Sequence, residues 1–198
     1  MTGNIGAPAV IVLGPSGLDV AHRIASAVPE VEIHGLARRV EAAQVHFDDT
    51  GDHLRALFAA GTPIVGICAA GILIRLLAES LTDKTAEPPM IAVAEDGSAV
   101  VPLLGGHHGA NDLAREIGAA LGVVTAVTTA GDVRFGVALD SPPAGWTLAN
   151  PDDVKSFAAE LLAGATVGAH AALPSFLADG DIPRDLGGMF RSSGRNCL

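Results

Sequence analysis

Basic residues are scarce in this 198-residue chain: Lys and Arg number 12 against 22 Asp and Glu, a formal net charge of −10. No Lys/Arg cluster is longer than Arg38-Arg39. The basic footprint of a nucleic-acid binder is therefore missing, and no nucleic-acid partner is expected. Cysteine is nearly absent as well. Cys68 and Cys197 stand far apart and form no metal-spaced motif. Cys68 lies in an apolar run and reads as a buried free thiol, as found in a reducing compartment. Aromatics are few, with six Phe, one Trp and no Tyr, so the core must be built from Ala, Val, Leu and Ile. Such a core suits parallel strands covered by helices on both faces. Charged residues make up only 17% and hydrophobic ones 49%, which excludes a disordered chain. Long apolar runs are also lacking: Ile64 to Leu77 is broken by Gly66, Gly71 and Arg75 and is too short to span a bilayer. The N-terminus has no charged stretch followed by an unbroken apolar one, so no signal peptide is expected. A soluble, cytoplasmic protein without a membrane partner is the expectation.

Several catalytic signatures are missing too. Gly14-Pro15-Ser16-Gly17 lacks the Gly-Lys-Ser/Thr ending whose lysine reaches phosphate, so it is not a P-loop. Gly-x-Gly-x-x-Gly is absent where a dinucleotide fingerprint would need it, and no Gly-x-Ser-x-Gly elbow supports serine-hydrolase chemistry. His107 and His108 are adjacent, cannot form the i, i+4 pair of a helical zinc site, and have no Cys or acidic residue spaced to complete one. No bound metal is expected.

What is present alternates between strand and helix signals. Ala9–Leu13 reads as a buried strand ending in the turn Gly14–Gly17, and apolar residues at 18, 21, 24, 25 and 28 share one helical face. Val31–Leu36 and Pro63–Ile67 read as strands, Leu54–Ala60 as a helix end and Ile72–Leu81 as a helix. Met90–Ala94 and Ala99–Leu104 flank Glu95-Asp96-Gly97-Ser98, whose Asp-Gly supplies the positive φ of a hairpin turn. A helix follows on Leu113, Ile117, Ala120 and Leu121, closed by Gly122, and Val124–Thr129 reads as another strand. Past Ser141-Pro142-Pro143, Asn150 and Pro151 mark a helix start, with the helix running to Leu162 and stopping at Gly164. Residues 165–198 show no clear period. The pattern predicts an α/β fold, a mostly parallel sheet with helices on both faces (Rossmann-like) over residues 1–134, and a small second α/β region over residues 135–198.

Three strand-to-helix junctions could carry chemistry. In Gly105-Gly106-His107-His108-Gly109-Ala110-Asn111-Asp112 three glycines bracket two histidines at a helix start. Glycines let backbone N–H groups approach a ligand, the helix dipole favours an anion, and histidine can act as general base or acid near neutral pH. Asn111 can cap the helix or hold a polar group. The plainer alternative is a tight turn with two solvated histidines. In Gly66–Arg75, Arg75 is the lone charge and either snorkels to solvent or pairs with a carboxylate, while Lys84 in the next loop is a second cation or merely solvated. In Thr128-Thr129-Ala130-Gly131-Asp132, two hydroxyls and a carboxylate line a site or make an Asx turn. Because each junction follows a strand, the three are expected to meet at the strand C-termini.

These motifs, in this order, resemble the N-terminal region of the cobalt-precorrin-5A hydrolase family of cobalamin biosynthesis. The matching residues are Gly71-Ile72-Leu73-Ile74-Arg75, Asp83-Lys84, Pro88-Pro89, Pro102 through Ala114 including Gly105-Gly106-His107-His108-Gly109-Ala110-Asn111, and Thr128 to Asp132. Residues 135–198 resemble part of the family's middle region, and the family's common C-terminal domain is not in the sequence. The resemblance implies opening of a δ-lactone on a cobalt-bearing tetrapyrrole and release of the excised ring carbon, with its methyl, as acetaldehyde. It implies His107 or His108 as general base for water. Arg75, Lys84, Gly105, Gly106, Gly109, Asn111, Thr128, Thr129 and Asp132 would then be substrate-binding residues. No cofactor is implied, since cobalt enters with the anionic substrate. The family often has Thr-Ala-Thr-Asp where this chain has Thr129-Ala130-Gly131-Asp132. A different reading is a non-catalytic tetrapyrrole-binding module partnering another corrin-pathway enzyme, such as precorrin-3B C17-methyltransferase. A homo-oligomer is compatible with either.

Overall fold

Short runs rich in Val and Ile recur along this chain, and in the computed structural model those at Ala9–Val12, Ile64–Ile67 and Met90–Val93 become short buried strands. The structure describes residues 6–84, 86–135 and 151–166, apart from the side chains of His107 and Pro151. They fall into two compact units, one up to Ala126 and one from Val127.

The first unit contains β1 (Ala9–Val12), α1 (Leu18–Ala27), β2 (Glu32–Leu36), β3 (Val45–Phe47), α2 (Thr50–Ala59) and β4 (Ile64–Ile67). It continues with α3 (Ala70–Leu77), β5 (Met90–Val93), β6 (Val100–Leu104) and α4 (Ala110–Leu121). The sheet order is β3-β2-β1-β4-β5-β6, with all pairs parallel except β5–β6. From β1 the chain moves outward to β3, then returns to the other side of β1. Right-handed crossovers moving in opposite directions place their helices on opposite faces. Accordingly Val10, Val12, Val65, Ile67, Ile91 and Val93 pack under α1 and α4. Ala9, Ile11, Ile64, Met90 and Ala92 pack under α2 and α3. This is the expected α/β sheet with helices on both faces.

Local chemistry sets the element ends. Asp49 caps α2 by accepting from the Asp52 N–H at 2.8 Å, and α4 closes on Gly122 at φ 69°. The hairpin turns at Gly97, φ 74°, where Asp96 accepts from the Ser98 N–H and hydroxyl at 2.9 and 2.6 Å. Those bonds from Ser98 hold the Asp96 carboxyl below the usual carboxylate range.

Two local expectations need correction. Val124–Thr129 is not a strand: its one pairing is an isolated parallel bridge, Thr125 to Val100, with the Ala126 N–H donating to the Val100 carbonyl at 2.9 Å. Val124 is 92% exposed, so the apolar alternation there faces solvent and no core. The helix expected over Ile72–Leu81 begins two residues earlier and ends at Leu77, with a 3₁₀ turn over Ala78–Ser80.

The second unit holds, among the described residues, α5 (Ala130–Phe135) and α6 (Val154–Leu162), the latter entered through a 3₁₀ turn at Pro151–Asp153. Phe135, Val154 and Leu161 are buried, and Arg134 donates to the Leu162 carbonyl. α6 closes near Gly164, φ 104°, as its glycine suggested. The Asn150 cap and residues 167–198 lie outside the described residues.

Candidate functional site

β6 delivers the histidine loop through a bulge. Its register steps from Met90↔Leu104 to Ile91↔Pro102, leaving Leu103 as the extra residue beside a proline that has no N–H to give the ladder. The chain then turns at Gly105 in the left-handed region, φ 75°. A Cβ there would stand 2.5 Å from the Pro88 carbonyl carbon and oxygen and the Pro89 nitrogen. Gly105 is thus required by a backbone crossing, in addition to any ligand.

Gly106–His108 form one 3₁₀ turn, and Gly109, φ 85°, opens α4. The Gly105 carbonyl accepts from the His108 and Ala110 N–H groups at 2.9 and 3.1 Å, and the Leu113 N–H donates to the Gly109 carbonyl at 3.0 Å. His108 is exposed, and Gly106 faces open space, with nothing within 4 Å of where a Cβ would be. Asn111 is buried. The 12 residues of α4 aim their positive dipole end at this loop, although Asp112 in the first turn is negative and pairs with Arg115 at 2.8 Å. An exposed glycine, an exposed histidine and a helix N-terminus together can receive an anionic group beside a base.

The antiparallel direction of β6 decides what this loop can meet. Met90, the first residue of β5, lies opposite Leu104, the last of β6. The loop therefore sits at the edge where β1, β4 and β5 begin. Gly66–Gly71 lies at the other edge, where β4 ends and α3 starts. Four strand residues separate the two edges, roughly 13 Å. The expectation that the junctions share the strand C-termini is therefore corrected: the hairpin reverses the histidine loop relative to Gly66–Gly71. Arg75 is exposed, and its guanidinium folds back to donate to the Gly71 carbonyl at 2.9 Å. Lys84, also exposed, lies in the segment leading into Pro88-Pro89, on the same edge as Gly105. Thr128, Thr129 and Asp132 belong to the second unit, where both threonines are exposed, Asp132 is buried and the Thr129 carbonyl accepts from the Val133 N–H at 3.0 Å.

Sequence reasoning passed over a polar cluster beneath α2. His34 of β2 is buried, and its Nδ1 lies 2.8 Å from His53 Nε2 of α2. His53 in turn stacks on Phe47, with centroids 4.4 Å apart and planes 6° from parallel. Burial lowers the pKa of both rings; for His34 the neighbouring Glu32 carboxylate opposes the shift, and for His53 the His34 ring adds to it. The available signal was Glu32-x-His34, two polar residues on one face of a strand. Cys68 is a free thiol, as expected, but half-buried rather than buried, and the burial it has pushes its pKa up to about 11. Among the described residues no helix is long and apolar enough to cross a membrane, and no group of three His, Cys, Asp or Glu could hold a metal.

The family model described as Cobalamin synthesis G N-terminal matches residues 52–132, which run from the first turn of α2 to the first residues of α5 and take in the whole histidine loop. Residues 52–132 are a cobalamin synthesis G N-terminal domain. A cobalt-precorrin-5A hydrolase of Salmonella typhimurium is 34% identical over 134 residues, 67% of this chain and 38% of that protein. One of Priestia megaterium is 25% identical over 163 residues, 78% of this chain and 44% of that protein. The chain thus spans less than half the length of these curated relatives. Among solved structures, the crystal structure of a cobalamin biosynthesis protein G homolog from Sulfolobus solfataricus aligns with TM-score 0.48 and 19% identity, covering 85% of this chain and 51% of that one.

Proposed function

We propose that the chain acts in corrin-ring construction as a cytoplasmic hydrolase of a cobalt-precorrin-5A-like tetrapyrrole. Its reaction would open the δ-lactone and release acetaldehyde. The observation that carries this reading is the coincidence of the cobalamin synthesis G N-terminal domain with a loop built for an anion and a base. In the proposed site the first turn of α4 and Gly106 receive a substrate carboxylate, and Lys84 on the same edge pairs with another. His107 or His108 takes a proton from the water that adds to the lactone carbonyl. The ring oxygen leaves as an alcohol, and carbon–carbon cleavage then turns that alcohol carbon into the aldehyde. Cobalt is part of the substrate, and no cofactor of the protein's own enters the scheme. Thr128, Thr129 and Asp132 are proposed substrate contacts. With a net charge of −10, capture of a polyanion depends on this local positive potential.

The test is acetaldehyde release from the lactone intermediate by purified chain, compared with His107→Ala and His108→Ala. Loss of the base should cost a hundredfold or more in turnover, the usual order of that contribution, while corrinoid binding survives. Full activity in both variants rejects histidine catalysis. Tight corrinoid binding without any acetaldehyde would favour the tetrapyrrole-binding module acting with another corrin-pathway enzyme.

A further inference from the structure

α3 is an apolar helix with one open side. Arg75 is its only charged residue, and Glu79 follows in the 3₁₀ turn. Leu73 and Leu77 are buried against the sheet, while Ile74 is 47% exposed and Arg75, Ala78 and Glu79 are also exposed. Positions 74 and 78, like 75 and 79, are one turn apart, so these four residues share the side turned from the sheet. The sheet beside the helix is open too. α4 packs on β6 from one face, whereas α3 on the other face packs chiefly on β5, one strand short of the edge. Leu103 and Leu104 of β6 join the apolar layer under α2 and α3, yet both stay half-buried, as does Leu81 beyond α3. An apolar helix side next to an uncovered strand is more than the single exposed residues that any surface carries.

We infer that this face binds a second copy of the chain, with α3 antiparallel to its twin about a two-fold axis beside Leu76 and Leu77. The charges select that occupant. Arg75 donates only to the Gly71 carbonyl of its own helix, and Glu79 has no hydrogen bond or ion pair among the described residues. Within one helix, Arg before Glu at i, i+4 is the less favourable order for a pair. Across a two-fold axis the two residues meet their complements twice, Arg75 facing the partner's Glu79 and Glu79 facing the partner's Arg75. The same axis sets Ile74 against the partner's Ala78, a large side chain against a small one. The face is therefore complementary to itself in charge and in shape. Eight helical residues span only about 12 Å, too little for the roughly 800 Å² per partner of a standard interface. The open side of β6 has to contribute, and the dimer is a weak one. A net charge of −10 opposes it at long range, which salt screens beyond about 8 Å while sparing the close pairs.

Sedimentation equilibrium of the full chain at about 0.15 M salt is the test. The chain should form a reversible dimer with a Kd on the order of tens of micromolar. Ile74→Asp, Arg75→Glu and Glu79→Arg should each weaken it by about tenfold or more, since the two-fold axis counts every change twice. All three residues are exposed, so circular dichroism should find the variants folded like the parent. Glu79→Arg lowers the net negative charge, so its loss of association cannot come from repulsion between whole chains. Mixing Arg75→Glu with Glu79→Arg is the deciding step. One face then carries two acids and the other two arginines, and the mixed pair should recover an affinity within about threefold of the parent's. A chain still monomeric at ten times the expected Kd, a dimer indifferent to Ile74→Asp, or a mixture no tighter than either variant alone overturns the inference.

Discussion

Gly105 shows how much can rest on one missing methyl group. Its φ of 75° and the Pro88 carbonyl 2.5 Å from a would-be Cβ impose two separate penalties on any side chain. Gly105→Ala should therefore destabilise the fold by roughly 2–4 kcal/mol, seen as a lower urea midpoint, whereas Gly106→Ala, facing open space, should cost much less. The buried histidines make the fold sensitive to acid. Both rings titrate below the ordinary value in the folded chain, so the unfolded chain binds more protons as pH falls from about 6.5. Stability is then intact above pH 6.5 and declines toward pH 5. Thermal melts across that range should show it, with a shallower slope for His53→Gln. The apolar setting of Cys68 gave its free thiol but overstated its burial, which is only partial. Its thiol, raised to about 11, should react with iodoacetamide at pH 8 far more slowly than free cysteine.

At the scale of elements, the long runs were legible and the short or reversed ones were not. β1, β4 and β5 announce themselves as Val/Ile runs bounded by turn residues because they are buried on both faces. β3 has three residues and lies at the sheet edge, too little for a pattern. The candidate loop was found from its glycines and histidines, yet its neighbours were misplaced. The Asp96-Gly97 hairpin was itself readable, but its consequence, that β6 ends where the parallel strands begin, was not carried through. The His34–His53 contact joins a strand to a helix 19 residues away, and no local pattern encodes it. The reversed edge changes what Arg75 should do. Arg75→Ala should leave corrinoid affinity within about twofold, whereas Lys84→Ala, on the loop's own edge, should weaken it severalfold, since an exposed ion pair contributes up to about 1 kcal/mol. Parallel binding titrations of the two variants separate the edges; the reverse order would place the substrate at the β4–α3 junction.

For the whole molecule, the central claim is that a chain less than half the length of its curated relatives still carries the hydrolytic machinery. That machinery is assigned to the loop at the start of α4 and its two histidines. The most direct test supplies purified chain with the lactone-bearing cobalt intermediate and measures acetaldehyde against time and pH. The account predicts catalytic release that falls as pH drops through the histidine range, because the base must be neutral to accept a proton. Release at or below the rate without protein, from a chain that is folded and binds the corrinoid, would contradict it.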